Sequence, residues 1–367
     1  MSGAGRVPLP VLAEARAVGR GGRPTSAAAS ARTGGRLPRP TAFTSAARVA
    51  RTRPAPLDIL VHHPDEADRY GALVRAPRGR VRLHVTATVD EAMRVAPDID
   101  IAYGWKVPTA VYGAATRLRW LQAMGAGVDW VLVPELPRGV VVTRVPGVFG
   151  PWMAEYVLGW CAFVTQRVET YRAAQRERRW IETVLPGRLR GSTLAIVGLG
   201  DIGRTIARQA RALGVRVLGV SRAGAPVSGV DRVYRARELR RALAAADWVV
   251  LTVPLTPATR HLIGAAELAA MRPTAWLLNI ARGPIVDDAA LIDALRRRAI
   301  AGAILDVFAT EPLPADHPLW GLANVVVTPH IAGPSTPDEM APVFNDNLAR
   351  FLAGRRLRHV VDRARGY

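Results

Sequence analysis

The sequence predicts an α/β protein of two doubly wound domains, each with a parallel sheet. Three observations carry that expectation. At 367 residues the chain has room for two or three domains, each able to bury a core. Short runs rich in Val and Ile alternate with helical segments, the signature of βαβ units. The later runs lack the polar alternation of a half-exposed sheet and read as strands buried on both faces.

From Leu57 onward the runs are LDILVHH, VRLHVTA, IDIAYGW, LRWLQAM and VVVTRVP. A long amphipathic helix is expected next, from near Pro151 past Trp160 toward Arg172. The second series begins at Thr193 with TLAIVGLG and continues through VRVLGVS, DWVVLTVP, AWLLNIA, AGAILDVF and NVVVTPHIA. After Pro334 the chain turns helical again, and that helix ends near Gly354.

Composition narrows the partners. The formal charge is +20, but residues 1–57 hold ten Arg against one acid, so about nine of those charges sit in one basic extension. Nearly all the positive charge is Arg (Lys106 is the one lysine), and no nucleic-acid-binding motif accompanies it. No nucleic-acid or membrane partner is therefore expected. The extension, taken as 1–56, lacks an apolar h-region and reads as disordered chain rather than a secretory signal. Cys161, the single cysteine, excludes an intrachain disulfide or cysteine metal cluster and reads as a buried thiol. A cytoplasmic protein with no metal site is expected.

GLGDIG places Gly198, Gly200 and Gly203 between an entering strand and a leaving helix. Gly198 suits a tight turn, Gly200 a close approach of backbone to pyrophosphate, and Gly203 close helix–strand packing. The helix N-terminus adds N–H groups and partial positive charge. The loop's other members, Leu199, Asp201 and Ile202, are counted with this cofactor site. The second series thus reads as a Rossmann nucleotide-binding domain.

Eighteen and nineteen residues after Gly203, where a ribose-binding acid is usual, stand Ser221 and Arg222. A guanidinium attracts a 2′-phosphate that an acid would repel, and a serine hydroxyl can bond to it. NADP(H) is therefore expected in preference to NAD(H), the alternative being a solvated surface arginine.

Arg282 follows one buried strand in LNIARGPIVDDAAL, Glu311 follows the next in LDVFATEPLP, and His330 ends the one after in VTPHIAG. Open α/β sheets bind ligands at such carboxyl ends. With VPLTPATRHLI, HPLW, MGAGVDW and FNDNLARFLAG, these segments resemble the D-isomer-specific 2-hydroxyacid dehydrogenase family over essentially 57–367.

The resemblance implies a nucleotide domain at 156–334, inserted into a flavodoxin-like substrate domain formed by 57–155 and 335–367. It implies a homodimer built through the nucleotide domains. It implies hydride transfer between a nicotinamide cofactor and a small 2-oxo or 2-hydroxy acid, of glyoxylate or hydroxypyruvate type. His330 would be the acid–base, Glu311 its carboxylate partner, and Arg282 the group that pairs with the substrate carboxylate. Ala126 and Gly127 would complete that cradle through backbone N–H groups, and Tyr103, Gly104 and Trp105 would line the substrate pocket. The cofactor set extends to Pro254, Thr259, Ile280, Ala281, Asp306 and Gly333. Asp306 either holds the nicotinamide carboxamide, the favoured reading, or caps a turn. A different class stays open: nucleotide-sensing corepressors share this fold, and the basic extension favours that alternative.

Overall fold

The computed structural model describes residues 55–367, so the extension expected over 1–56 lies outside the described residues except for its last two. Strands β1 (Leu57–His62), β2 (Val81–Thr86), β3 (Ile101–Gly104), β4 (Trp120–Ala123) and β5 (Val141–Thr143) form one sheet. Its order is β2-β1-β3-β4-β5 and every pairing is parallel. That is the flavodoxin-like doubly wound order.

Strands β6 (Thr193–Val197), β7 (Arg216–Ser221), β8 (Arg232–Arg235), β9 (Trp248–Leu251), β10 (Trp276–Asn279), β11 (Gly302–Leu305) and β12 (Val325–Val327) form the second sheet. It is also parallel, in the order β12-β11-β10-β9-β6-β7-β8. Strand order therefore reverses between β6 and β9, which opens a crevice above their carboxyl ends. Every residue of β6, β9 and β11 is buried, which explains their unbroken apolar runs. Strand β8 was not expected. Its sequence RVYR sits at the sheet edge and buries only Tyr234, so it carries no apolar run to read.

Two further expectations need correction. The long helix is two, Phe149–Thr165 and Val168–Arg176, broken where Arg167 takes φ +55°. Before the break the Thr165 hydroxyl donates to the Cys161 carbonyl, and the Thr165 carbonyl accepts from the Gly187 N–H. Those bonds occupy groups that would continue the helix, and an L-residue in the left-handed region cannot belong to one.

Tyr103 is core rather than pocket lining: it is fully buried and stacks on Phe344 at 4.0 Å between ring centroids. Phe344 belongs to the helix Pro337–Leu352, whose Met340, Phe344 and Leu348 pack with Ile59, Val61 and Trp120 of the first sheet. The chain thus leaves the first sheet, builds the second and returns to cover the first. Gly104 is closed off as well, because a Cβ there would meet Val107 at 2.5 Å and the His62 carbonyl at 2.9 Å. Among the described residues no helix is long and apolar enough to cross a membrane.

Candidate active site

The glycine loop lies at the reversal of strand order. Gly198 takes φ +108°, which an L side chain rarely adopts, and a Cβ there would meet the backbone of Thr252, just past β9, at 2.9 Å. A Cβ on Gly203 would overlap the Gly198 carbonyl oxygen, so the helix Asp201–Ala212 can approach β6 only because position 203 is bare. Gly200, between them, faces open space. The two outer glycines tighten the loop and the middle one leaves room for a ligand against its backbone, at a helix N-terminus that favours anions. These residues fit a dinucleotide pyrophosphate.

Asp201 does not face that space. Its carboxylate accepts the Gly147 N–H at 2.9 Å and so ties the loop to the segment entering the helix Phe149–Thr165. Leu199 is buried, and Ile202 packs against the cores on both sides of the crossing. In the loop past β9, the Thr259 hydroxyl donates to the Pro254 carbonyl at 2.6 Å and accepts the Thr256 N–H at 2.8 Å, which holds the loop in shape.

Ser221 ends β7, and its hydroxyl accepts the Gly224 N–H at 3.1 Å. Arg222 is exposed and, among the described residues, has no carboxylate partner; its guanidinium lies 5.5 Å from the Tyr367 ring centroid. Arg235 was not foreseen here. It pairs in register with Ser221, and a Cβ on Gly224 would meet its Cγ at 2.5 Å. A strand missed in the sequence hides the arginine at its end.

The turn after β12 carries His330. His330 sits at φ +54°, held by its N–H to the carbonyls of Asp306 at 2.8 Å and Thr328 at 3.1 Å. Its Nδ1 lies 2.8 Å from Glu311 Oε2, while Oε1 accepts the Phe308 N–H at 3.0 Å. Burial alone would raise the Glu311 carboxyl. The hydrogen bond from His330, the Phe308 N–H and the nearby charges of His330 and Lys106 outweigh it and hold the pKa below the usual carboxylate range. An ionised Glu311 only accepts, so Nδ1 carries a proton and Nε2 is the ring atom left for exchange.

Asp306 is nearly inaccessible, at 1 % exposure. Its carboxylate accepts the Thr328 hydroxyl at 2.6 Å and the N–H groups of Ile331 and Ala332 at 2.9 Å each. These contacts show the turn-capping role directly, and Oδ2, which accepts only the Ala332 N–H, keeps acceptor capacity for the favoured carboxamide role. The brace extends through Thr328 to the Tyr156 hydroxyl at 2.6 Å, on the helix Phe149–Thr165.

Arg282 reaches across to the other sheet. Its Nε donates to Asp129 at 2.9 Å and its Nη1 to the Ala281 carbonyl at 2.7 Å. Nη2 lies against Gly127 so closely that a Cβ there would overlap it. Among the described residues Nη2 and the N–H groups of Ala126 and Gly127 make no hydrogen bond, and Nη2 lies beside Gly127. Nothing in the sequence links Asp129 to an arginine 153 positions later. Trp105 borders the cradle: it is 5.6 Å from Trp130 between ring centroids, and a Cβ on Gly125 would meet it at 3.0 Å. Ile280, Ala281 and Gly333 supply apolar packing, Gly333 against Phe149 and Met153.

The chain is similar to known proteins. Residues 158–332 match the family described as D-isomer specific 2-hydroxyacid dehydrogenase, NAD binding domain. A glyoxylate reductase of Thermofilum pendens is 38% identical over 259 residues, which cover 68% of this chain and 76% of that protein. Two solved structures share the fold. One, an NADPH-dependent glyoxylate/hydroxypyruvate reductase of Sinorhizobium meliloti in complex with NADP and sulfate, has a TM-score of 0.77 and 31% identity, covering 85% of this chain and 100% of that one. The other, a D-isomer specific 2-hydroxyacid dehydrogenase of Xanthobacter autotrophicus in complex with NADPH and MES, has a TM-score of 0.75 and 34% identity with the same coverage.

The brace at Asp306 is directly testable. Asp306→Asn keeps the shape but sets an NH2 among three donors, which costs about 1–3 kcal/mol of stability. Chemical denaturation should register that loss, and amide exchange at Ile331 and Ala332 should quicken. Unchanged stability with both amides still protected would show that the carboxylate does not hold the turn.

Proposed function

The chain belongs to the D-isomer-specific 2-hydroxyacid dehydrogenase family, and from that membership we propose that it reduces a 2-oxo acid of glyoxylate or hydroxypyruvate type with NADPH. It is an NAD(P)-dependent oxidoreductase acting between a nicotinamide cofactor and a small 2-oxo or 2-hydroxy acid. The observation that carries the residue assignment is the close approach of the two segments: a Cβ on Gly283, next to Arg282, would overlap the Phe308 carbonyl, and the N–H of Phe308 donates to Glu311, the partner of His330.

The nicotinamide supplies or accepts the hydride; the rest of the reaction belongs to this chain. The Ala126 and Gly127 N–H groups and Arg282 hold the substrate carboxylate, with Asp129 fixing the guanidinium plane through Nε. Arg282 also polarises the carbonyl oxygen as negative charge develops on it. His330 Nε2 delivers a proton to that oxygen and takes it back in oxidation. Glu311 accepts from Nδ1 and stabilises the charged ring.

Preference for NADPH rests on Ser221 and on Arg222, a guanidinium without a carboxylate partner among the described residues where NAD-binding folds place an acid. The homodimer reading is supported by Trp180 and Leu185, which are 89% and 76% exposed on the segment between Arg176 and β6. These are two large, strongly exposed apolar side chains five positions apart, and burying them against a second copy would remove that apolar area from water.

Four substitutions check these assignments. His330→Gln should lower turnover about 10²- to 10⁴-fold while NADPH still binds, and undiminished turnover removes His330 as the acid. In the same series Glu311→Gln should lower turnover while NADPH still binds, because His330 Nδ1 loses the carboxylate that accepts from it. Glu311 itself is ionised above the usual carboxylate range and loses its contribution only as pH falls through its depressed value, so the acid limb should weaken in step. Arg222→Asp should weaken NADPH roughly 10- to 100-fold and leave NADH nearly unchanged; equal loss for both refutes phosphate recognition. Trp180→Glu should convert the dimer to monomer in light scattering, and a wild-type monomer at micromolar concentration refutes the dimer.

A further inference from the structure

The last residues of the chain form a built hook. Val361 is buried in the first sheet's core, and its N–H donates to the Val142 carbonyl at 2.9 Å. Arg363 then clamps the hook from beside, donating to the carbonyls of Pro137 at 3.0 Å and Val140 at 2.7 Å. Asp362 closes it: its carboxylate caps the N–H of Ala364 at 3.0 Å, and its backbone bonds the Gly366 N–H at 2.9 Å and the Tyr367 carbonyl at 3.2 Å.

The hook ends against the other half of the molecule. A Cβ on Gly366 would lie 3.5 Å from Thr256, in the loop that Thr259 shapes beside the dinucleotide crevice. The Tyr367 ring sits 5.5 Å from the Arg222 guanidinium. Both contacts fall at the adenosine end of the cofactor site.

We propose that Tyr367 is a positioning residue for NADP(H): its ring, delivered by the substrate half of the molecule, holds the Arg222 guanidinium in place for the adenosine 2′-phosphate. This rests on the reading of Arg222 as the phosphate ligand. A free arginine has many rotamers to lose on binding, and a ring fixed beneath it removes part of that cost beforehand. A cation over an exposed aromatic face is a modest interaction, so the effect is a few-fold change and not an on–off switch. It is confined to the cofactor that carries the phosphate, because NADH makes no use of Arg222.

The test compares Tyr367→Ala, Tyr367→Phe and Arg222→Ala in the full chain, titrating NADPH, NADH and 2′,5′-ADP by fluorescence and measuring turnover at saturating NADPH. Tyr367→Ala should weaken NADPH and 2′,5′-ADP about two- to fivefold and leave NADH and saturated turnover unchanged. Tyr367→Phe should restore wild-type binding, since the ring and not the hydroxyl does the work. Parallel loss of NADPH and NADH, tighter NADPH binding, or no change in Tyr367→Ala would overturn the proposal. Arg222→Ala separates the two layers. If it abolishes the preference for NADPH while Tyr367→Ala does nothing, only the role of Tyr367 fails; if it leaves the preference intact, both readings fall together.

Discussion

The site depends on one buried carboxylate. Moving an ionised carboxylate out of water costs several kcal/mol unless donors replace the lost hydration. Asp306 meets that requirement by drawing the Thr328 hydroxyl and the Ile331 and Ala332 N–H groups onto its oxygens, while its carbonyl takes the His330 N–H. The turn therefore folds around the charge, and His330 is carried into left-handed backbone at φ +54°. Such a conformation costs an L-residue on the order of 1–3 kcal/mol and persists where its surroundings over-determine it. Four hydrogen bonds to one aspartate are sufficient reason.

Around that turn, parallel topology does the assembling. Carboxyl ends of parallel strands share one edge of a sheet, so Arg282, Glu311 and His330 reach the same crevice from successive strands. Opposite them stands the 125–129 segment, which follows β4 of the first sheet and whose Asp129 meets Arg282. Arg282 is the seam: Asp129 holds its Nε, and bare Gly127 leaves room for its Nη2. Asp201 performs the same service on the cofactor side, where its carboxylate bonds the Gly147 N–H.

What could be read from the sequence was local or periodic. The glycine spacing of 198–203 is legible because a tight turn, a close approach and a close packing contact each exclude a side chain. Arg282, Glu311 and His330 are legible because each follows an apolar run. Tyr103 misled for the same reason: a strand-end aromatic looks like pocket lining until the helix carrying Phe344 is known to stack on it. Strand β8 escaped because an edge strand needs no apolar run, and Arg235 escaped with it.

The sequence by itself determined the class of fold, the dinucleotide loop and the identity of the three residues at the strand ends, because each is written in spacing along the chain. Only the tertiary structure decided that Asp306 braces a turn, that Asp129 and Gly127 seat Arg282, and that Tyr367 meets Arg222. These are contacts between chain segments whose separation in sequence carries no periodic signal. They exist because buried charges must find donors and bulky groups must find space, and those constraints act only once distant strands have been brought together.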